Sequence, residues 1–224
     1  MTRRLLLIVT AAFVGLVIVI GYPLALSDGD AQSVRQPFRV VLIPDTQQYT
    51  ELDPEMFYAQ TKWIVGTKKE KNIVFAIGLG DIVQTDAISE WESASQAYNI
   101  LETGDIPYSV AVGNHDLGLV RGTVDRRDAS RFNIYFGSKR FEDKSWYGGH
   151  FGEGNENNYT FFNAGDLEFL VVTLEFGPRD EVLQWANDLI ASYPEKRVIV
   201  ATHSYLCYDN TRVGSVSVPT GQYH

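Results

Sequence analysis

Four apolar runs rich in β-branched residues recur along the chain, and each is followed at once by a short polar cluster. The runs are Arg39–Pro44, Ile73–Leu79, Tyr108–Val112 and Val198–Thr202. A short, nearly continuous apolar run is typical of a strand buried on both faces, as in a parallel sheet. The first three runs lie far enough apart for a helix to cross over between them. We therefore predict four strands, at least three of them joined by helical connections.

Helices are predicted between and after these strands. Asp53 and Pro54 are typical of a helix start, with Asp as the N-cap and proline at the first helical position. Met56, Ala59 and Trp63 then form the stripe that is expected to face the core. Two more helices are predicted from Ile88 to Leu101 and from Pro178 to Tyr193, and a hairpin from Asn158–Asn163 and Leu167–Phe176. Alternating strands and helices with one hairpin predict an α/β sandwich with a mixed sheet.

The polar clusters after the four strands contain side chains that can bind metal ions. They are Asp45-Thr46-Gln47, Gly80-Asp81, Gly113-Asn114-His115-Asp116 and His203. Because ligands collect at the carboxyl ends of strands in an open α/β sheet, these side chains are expected to converge. Each cluster alone also fits a turn, a helix cap or a buried histidine. A turn needs glycine and asparagine but not an adjacent His-Asp pair, so the four clusters together predict a binuclear metal site.

The order of the clusters resembles the calcineurin-like metallophosphoesterase family. That family carries Asp-x-His, Gly-Asp-x-x-Asp/Gln, Gly-Asn-His-Asp/Glu, a lone His and finally Gly-His-x-His. The chain contains IPDTQQY, GLGDIVQ, VGNHD and VATHS in the same order, between Phe38 and Ser204. The resemblance implies an α/β/β/α sandwich of the metallophosphoesterase type. It also implies hydrolysis of a phosphomonoester or a phosphodiester.

The resemblance further implies two divalent metal ions and a role for each matching residue. Hard carboxylates and neutral nitrogens suit Mn, Fe or Zn. Asp81 would bridge both ions, with Asp45 and Gln47 on the first ion and Asn114 and His203 on the second. His115 would contact the substrate and protonate the leaving oxygen, and Asp116 would orient the His115 imidazole. Gln84, at the variable position of the second motif, is expected to form a hydrogen bond beside the ligands.

Two departures from the family pattern affect these expectations. Gln47 stands where the family has histidine, so the first metal loses a nitrogen ligand and gains at best a weaker amide oxygen. Gln48 is an equally placed neighbour, and the choice of Gln47 depends on motif register alone. No Gly-His-x-His occurs before His224. We therefore expect a domain truncated at its C-terminus, and a non-catalytic metal-binding relative or interaction module remains the alternative to an enzyme.

An apolar, uncharged run from Leu5 to about Leu26 follows Arg3 and Arg4. This pattern is typical of an export element, either a cleaved signal peptide or an uncleaved membrane anchor. A buried helix of the domain is the other interpretation. The division expected is an export element at 1–27, a linker at 28–37 and an incomplete phosphoesterase domain at 38–224. The positive flank places the domain outside the cytoplasm: periplasmic, extracellular or anchored facing outward.

Charge and cysteine content exclude other classes of function. The net charge of −9 argues against binding of nucleic acid to a basic surface, and it disfavours binding of the protein to an anionic membrane surface. A phosphate-ester substrate is still compatible with this charge, because bound metal ions reverse the sign locally. Cys207 is the only cysteine, so neither an intrachain disulfide nor a cysteine-based zinc site can form. The domain must therefore be stable through its core alone.

A long segment, 117–157, separates the GNHD cluster from the hairpin. A connection of this length in a compact domain is usually functional or mobile. It contains four arginines, which have two possible roles: binding a second charged group of the substrate, or lying on a solvated surface beside Asp125 and Asp128. The four are Arg121, Arg126, Arg127 and Arg131. His150 is predicted to lie at the surface. Glu175 follows a strand that could bring it near the site, but it is not one of the predicted site residues.

Overall fold

The computed structural model describes residues 6–9, 36–118 and 128–206, and for residues 6–9 the backbone alone. Its strands are β1 (Leu6–Val9), β2 (Arg39–Ile43), β3 (Ile73–Gly78), β4 (Tyr108–Val110), β5 (Tyr147–His150), β6 (Asn158–Ala164), β7 (Leu167–Leu174) and β8 (Arg197–Thr202). Its α-helices are α1 (Gln47–Leu52), α2 (Pro54–Lys71), α3 (Ile88–Thr103), α4 (Ser130–Phe136) and α5 (Asp180–Ser192), with a 3-10 turn at Ser138–Arg140. The four predicted strands and the hairpin are all present, with ends within two residues of those expected.

The first sheet contains β2, β3 and β4, in that order and all parallel. Ile43 at the end of β2 pairs with Gly78 at the end of β3, and Gly78 pairs with Val110 at the end of β4. Three strands therefore end level with one another. The loops that follow them, which contain the first three polar clusters, begin at the same edge of the sheet.

The second sheet is mixed and has the order β1-β8-β7-β6-β5. The predicted hairpin is β6 and β7, antiparallel from Ala164↔Leu167 to Asn158↔Thr173. β8 returns parallel to β7 through α5 and pairs Thr202 with Leu174 at its end. This last pair sets the position of His203, which follows β8 directly.

Three hydrophobic clusters separate four layers, which gives the α/β/β/α sandwich. Between the two sheets, Phe75 and Ile77 of β3 meet Phe162, Phe169 and Val171 of the hairpin. The outer face of the first sheet is covered by α2 and α3, and the outer face of the second by α5. Because each strand of the first sheet is covered on both faces, its apolar runs are almost unbroken, as the sequence indicated.

The predicted inward face of α2 is wrong by one position. Met56 is 54% exposed and Trp63 is 49% exposed, whereas Phe57 and Ile64 are fully buried. The buried set has the spacing i, i+4, i+7 with Thr61 in the middle, which is an equally good helical stripe. The sheet face accepts Phe57 and Ile64, and the helix is rotated accordingly. In α3, Trp91, Tyr98 and Leu101 are buried, whereas Ile88 at its start is 60% exposed.

The described part of the long segment 117–157 contributes several residues to the hydrophobic core, whereas a mobile or functional loop was expected. Phe132 and Phe136 of α4 and Phe141 after the 3-10 turn are buried against α3 and β4. Arg131 pairs with Asp86, its Nη1 lying 3.3 Å from Oδ2, which agrees with a structural role for this arginine. The other three arginines lie outside the described residues. His150 is exposed, as predicted.

Part of the N-terminal apolar run is placed as a strand. β1 pairs in parallel with β8, from Leu6↔Val198 to Val9↔Ala201. Periodicity alone does not distinguish a short apolar strand from a helical segment. Residues 10–35, with most of the predicted export element and linker, lie outside the described residues. Within the part of the chain that is described, no helix has both the length and the apolar character needed to cross a bilayer.

Candidate metal centre

The loop after β3 is the centre of the candidate site. Gly80 has φ +94° and Asp81 has φ +49°, both in the left-handed region that favours glycine and tolerates aspartate. The turn brings the Asp81 side chain back under the loop, where it is 5% exposed. The Asp81 carbonyl accepts a hydrogen bond from the Thr46 N–H at 3.1 Å, which ties the ends of β2 and β3 together.

Glycine is required where the loop after β3 meets the loop after β4. A Cβ on Gly113 would lie 2.1 Å from Oδ1 of Asp81, and one on Gly80 would lie 2.7 Å from the Gly113 nitrogen. Because neither contact is sterically possible, the glycines of both sequence motifs allow the two backbones to approach each other. The His115 N–H then donates to Oδ1 of Asp81 at 3.0 Å. Asn114, half-buried, lies between these two contacts.

His203 approaches Asp81 from the second sheet. The Leu79 carbonyl lies 2.9 Å from Nδ1 of His203, and since a carbonyl only accepts, Nδ1 must carry the proton. In the neutral imidazole Nε2 therefore presents a lone pair, and it lies 3.4 Å from Oδ2 of Asp81. Two acceptors facing each other repel unless a proton or a cation lies between them. Phe176 packs on the imidazole, with ring centroids 6.0 Å apart, and so fixes its plane.

Two buried oxygens on the β2 side lack a hydrogen-bond partner in the part of the chain that the structure describes: Oδ1 of Asp45 and Oε1 of Gln47. Oδ1 of Asp45 lies 3.8 Å from Nδ1 of His203. The pKa of the Asp45 carboxyl is raised, mainly by burial. The nearby His203 lowers this pKa, whereas the charge of Asp81 raises it. A buried acceptor without a partner costs about 1–3 kcal/mol, and a bound cation would remove this cost.

The structure distinguishes Gln47 from its neighbour. Gln48 is exposed, and its Nε2 donates to Oε1 of Gln84 at 3.1 Å. Gln47 instead directs its oxygen inward without a partner among the described residues. Gln47 is therefore the better candidate ligand of the two. The hydrogen bond expected of Gln84 is formed with Gln48, at the rim of the site.

Asp116 does not orient the His115 imidazole, contrary to the sequence-based expectation. Its Oδ1 accepts hydrogen bonds from the N–H groups of Ile82 and Val83 at 2.8 and 3.1 Å, and Oδ2 accepts one from Gly113 at 2.8 Å. Asp116 is fully buried, and burial raises its pKa well above the ordinary value. Both carboxylate oxygens accept hydrogen bonds from backbone N–H groups, so Asp116 holds the loop after β3 to the loop after β4 rather than acting on His115.

The partner of His115 is the Gln84 carbonyl, which lies 2.9 Å from Nδ1 of the imidazole. As with His203, the carbonyl requires the proton on Nδ1. Nε2 is then the atom of His115 that can give or take a proton or contact a ligand. The sequence could not indicate this arrangement, because the orienting group is a backbone oxygen and carries no residue signature.

Glu90 was missed by the sequence analysis although it is 4% exposed and contacts the same loop. Its Oε2 accepts hydrogen bonds from the N–H groups of Gln84 and Thr85 at 2.8 and 2.9 Å. Oε1 accepts from the Thr85 hydroxyl. The available signal was an acidic residue in the first turn of a helix, where a carboxylate can reach back to preceding amides. Glu175 is bound by Asn157 and Arg179.

The convergent groups are two carboxylates, one imidazole and one amide: Asp45, Asp81, His203 and Gln47. Across the described ranges, no three or more His, Cys, Asp or Glu side chains form a group able to hold a metal ion. Nε2 of His203 lies 3.4 Å from Oδ2 of Asp81, and Nδ1 of His203 lies 3.8 Å from Oδ1 of Asp45. At these distances the groups do not form a closed cluster. The orphaned oxygens and the opposed lone pairs fit a cation that draws the groups together.

The chain is similar to two known proteins. The chain is 34% identical over 176 residues to an uncharacterized protein, YvnB, of Bacillus subtilis (strain 168). This match covers 78% of the chain but only 13% of that much longer relative. A solved purple acid phosphatase, PPD1 from yellow lupin (Lupinus luteus) seeds, is 19% identical with a TM-score of 0.48. That match covers 76% of this chain and 31% of the other.

The family model for calcineurin-like phosphoesterases matches residues 38–215, which include every residue of the candidate metal centre. The family implies a phosphate-ester substrate and divalent metal ions. The chain belongs to the calcineurin-like phosphoesterase family.

Proposed function

We propose that the protein is a metal-dependent phosphoesterase that hydrolyses a phosphomonoester or phosphodiester at a binuclear metal centre. The observation that carries the proposal is the pairing of His203 Nε2 with Asp81 Oδ2 at 3.4 Å while Nδ1 is fixed on the Leu79 carbonyl. With a neutral His203 this pairing places two acceptors against each other, which a hydrogen-bond network alone does not favour. A cation between them makes this arrangement favourable.

The donor set suits two cations that share one carboxylate. Asp45, Gln47 and Asp81 would hold the first, and Asp81, Asn114 and His203 would hold the second. Oxygen ligands with one imidazole favour Mn, Fe or Zn. Gln47 contributes a neutral amide oxygen in place of an imidazole, so the first site is expected to bind its ion more weakly than the second.

The chain's own groups then supply orientation and proton transfer. Divalent ions at such a centre act as Lewis acids toward the phosphoryl oxygens and make water more nucleophilic. His115 lies at the edge of the site with its Nδ1–H held by the Gln84 carbonyl. In the neutral imidazole Nε2 carries a lone pair, so Nε2 would first take up a proton and then donate it to the leaving oxygen. The backbone N–H of His115 stabilises the Asp81 carboxylate at 3.0 Å. One residue therefore links leaving-group chemistry to the bridging ligand.

Metal binding and hydrolysis test this proposal directly on the 224-residue chain. We expect Mn²⁺ at 100 times its dissociation constant to stabilise the fold by about 2.7 kcal/mol, measured as a shift in thermal unfolding. Mn²⁺ should also enable cleavage of p-nitrophenyl phosphate or its bis ester, and EDTA should abolish that cleavage. Stabilisation without cleavage of either ester would instead support a non-catalytic metal-binding relative. The absence of both effects would contradict the metal centre itself.

His115→Ala tests the proposed proton donor. We expect kcat to fall by about 10²–10⁴-fold, because general acid catalysis contributes about that much, while bound Mn²⁺ measured by elemental analysis is unchanged. His150→Ala is the matched control, since His150 is exposed on β5, and it should leave both quantities unchanged. Loss of metal in His115→Ala would show that His115 is a ligand rather than a proton donor.

We also propose that the domain is exported from the cytoplasm. The apolar run after Arg3 and Arg4 supports an export element, and the domain would then act outside the cytoplasm. Expression with a C-terminal reporter that is active only outside the cytoplasm would test the export element.

A further inference from the structure

The loop that connects β3 to α3 is held by two buried carboxylates that divide its backbone between them. Asp116 accepts the N–H groups of Ile82 and Val83, and Glu90 accepts those of Gln84 and Thr85. Four consecutive amides are thus bound by side chains from two different elements. Buried amides require partners, and here the partners also determine where the loop's carbonyl groups point.

The half of the loop that Glu90 binds contains the carbonyl that orients His115. Because the Gln84 carbonyl and the Thr85 N–H belong to one planar peptide group, Oε2 of Glu90 fixes both peptide groups of Gln84 by accepting from the Gln84 and Thr85 N–H groups at 2.8 and 2.9 Å. The Gln84 carbonyl then lies 2.9 Å from Nδ1 of His115. The half bound by Asp116 instead adjoins Asp81. The two carboxylates therefore support different parts of the site.

We propose that Glu90 is a positioning residue for the leaving-group step: it fixes the Gln84 carbonyl, which holds the His115 imidazole with Nε2 toward the substrate. This inference builds on the proposed phosphoesterase function. Glu90 is suited to the task because it lies in the first turn of α3, where the helix dipole stabilises a carboxylate. It is also 4% exposed, so water cannot readily replace its contacts.

Glu90→Gln removes the charge and replaces one acceptor oxygen by an NH₂ group that cannot accept from Gln84, Thr85 or the Thr85 hydroxyl. The matched control is Glu92→Gln, the same change on the same helix at an exposed position. If Glu90→Gln does not fold, Glu90→Asp keeps the charge but shortens the reach to both amides. The same comparisons then apply to that variant.

Imidazole ¹⁵N NMR of the metal-free protein gives a measurement independent of activity. With four histidines in the chain, the His115 signals can be assigned with His115→Ala. We expect wild type and Glu92→Gln to show His115 as the Nδ1–H tautomer, and Glu90→Gln to show a shifted Nδ1 signal or mixed tautomers. Identical His115 signals in all three proteins would overturn the proposal.

The leaving group provides the kinetic measurement. A 2,4-dinitrophenolate leaves without a proton, whereas phenolate needs one, so misplacing the donor should affect phenyl phosphate selectively. We expect Glu90→Gln to lower kcat for phenyl phosphate at least 10-fold, with little change for 2,4-dinitrophenyl phosphate, in KM or in bound Mn²⁺. In a His115→Ala background the substitution should cost nothing further.

The outcomes separate this inference from the proposed function. Equal losses on both esters, or a further loss in the His115→Ala background, would show that Glu90 acts only through stability, against the proposal. If the wild type cleaves neither ester with Mn²⁺, the proposed function fails. The NMR comparison then decides alone whether Glu90 positions His115.

Discussion

Asp116→Ala is expected to destabilise the fold by at least about 3 kcal/mol, since it leaves three buried amides without an acceptor at about 1–3 kcal/mol each. The amides are those of Ile82, Val83 and Gly113, all bound at 2.8–3.1 Å in the native protein. Asp116 is fully buried, so water does not reach the amides without local opening. This effect is one of the two largest that we expect from a single substitution in the chain.

Chemical denaturation of the metal-free protein measures this loss. The matched control is Asp143→Ala at an exposed position, which should change the free energy of unfolding by less than about 0.5 kcal/mol. A loss of stability below about 1 kcal/mol for Asp116→Ala would contradict the proposed role of Asp116 in holding the two loops together, because a single unpaired buried amide costs that much. Metal-free protein is essential, since bound ions would add stability of their own.

The Asp116 result illustrates what a motif does and does not specify. The sequence placed this aspartate beside His115, and adjacency suggested that its carboxylate would contact the imidazole. The backbone turn at Gly113 instead folds the Asp116 side chain back over its own loop and onto the loop after β3. Contacts between side chains and backbone amides depend on φ and ψ of several residues, and a residue pattern does not contain this information.

The architecture was predictable because burial determines it. β3 is buried on both faces, and its sequence is an unbroken apolar run. The Ala164-Gly165-Asp166 turn between two apolar runs predicts the hairpin. The orientation of α2 was not predictable, since two stripes one position apart were both plausible. Only the shape of the sheet face selects Phe57 and Ile64 over Met56 and Trp63.

Within the candidate site, the sequence indicated the side chains that strand ends deliver. Asp45, Asp81 and His203 each follow a strand, and the structure brings them within 3.4–3.8 Å of one another in pairs. Glu90 and the Gln84 carbonyl were not indicated, because they act through the path of the loop rather than from a strand end. These supporting groups are therefore the part of the site that the structure, and not the sequence analysis, identified.

Asp81→Asn is expected to abolish the binding of both metal ions while leaving the fold intact. Asn keeps the shape of the residue and one oxygen to accept the His115 N–H, now formed at 3.0 Å. Its NH₂ group can donate to Nε2 of His203, which at present faces a carboxylate oxygen at 3.4 Å. The acceptor–acceptor repulsion is relieved and one negative charge is removed beside Asp45. The metal-free variant should therefore unfold at the same temperature as wild type or higher.

Metal binding should change in the opposite direction. A neutral amide cannot bridge two divalent cations as a carboxylate does, so the Mn²⁺-induced rise in unfolding temperature should disappear. Turnover should fall by at least about 100-fold, since losing about 3 kcal/mol of Lewis-acid stabilisation has that effect. Asp143→Asn, the same change at an exposed position, should retain both the Mn²⁺ response and turnover.

The combination of results makes Asp81→Asn decisive. A variant that loses metal because it unfolds would show a lower unfolding temperature without metal, and the structure predicts the reverse. If two Mn²⁺ ions per chain remain in Asp81→Asn, the bridging role is wrong and the shared ligand must be sought elsewhere. If the metal-free variant is clearly less stable than wild type, Oδ2 of Asp81 is satisfied by a proton on His203 rather than by a cation, and the main argument for the metal centre is lost.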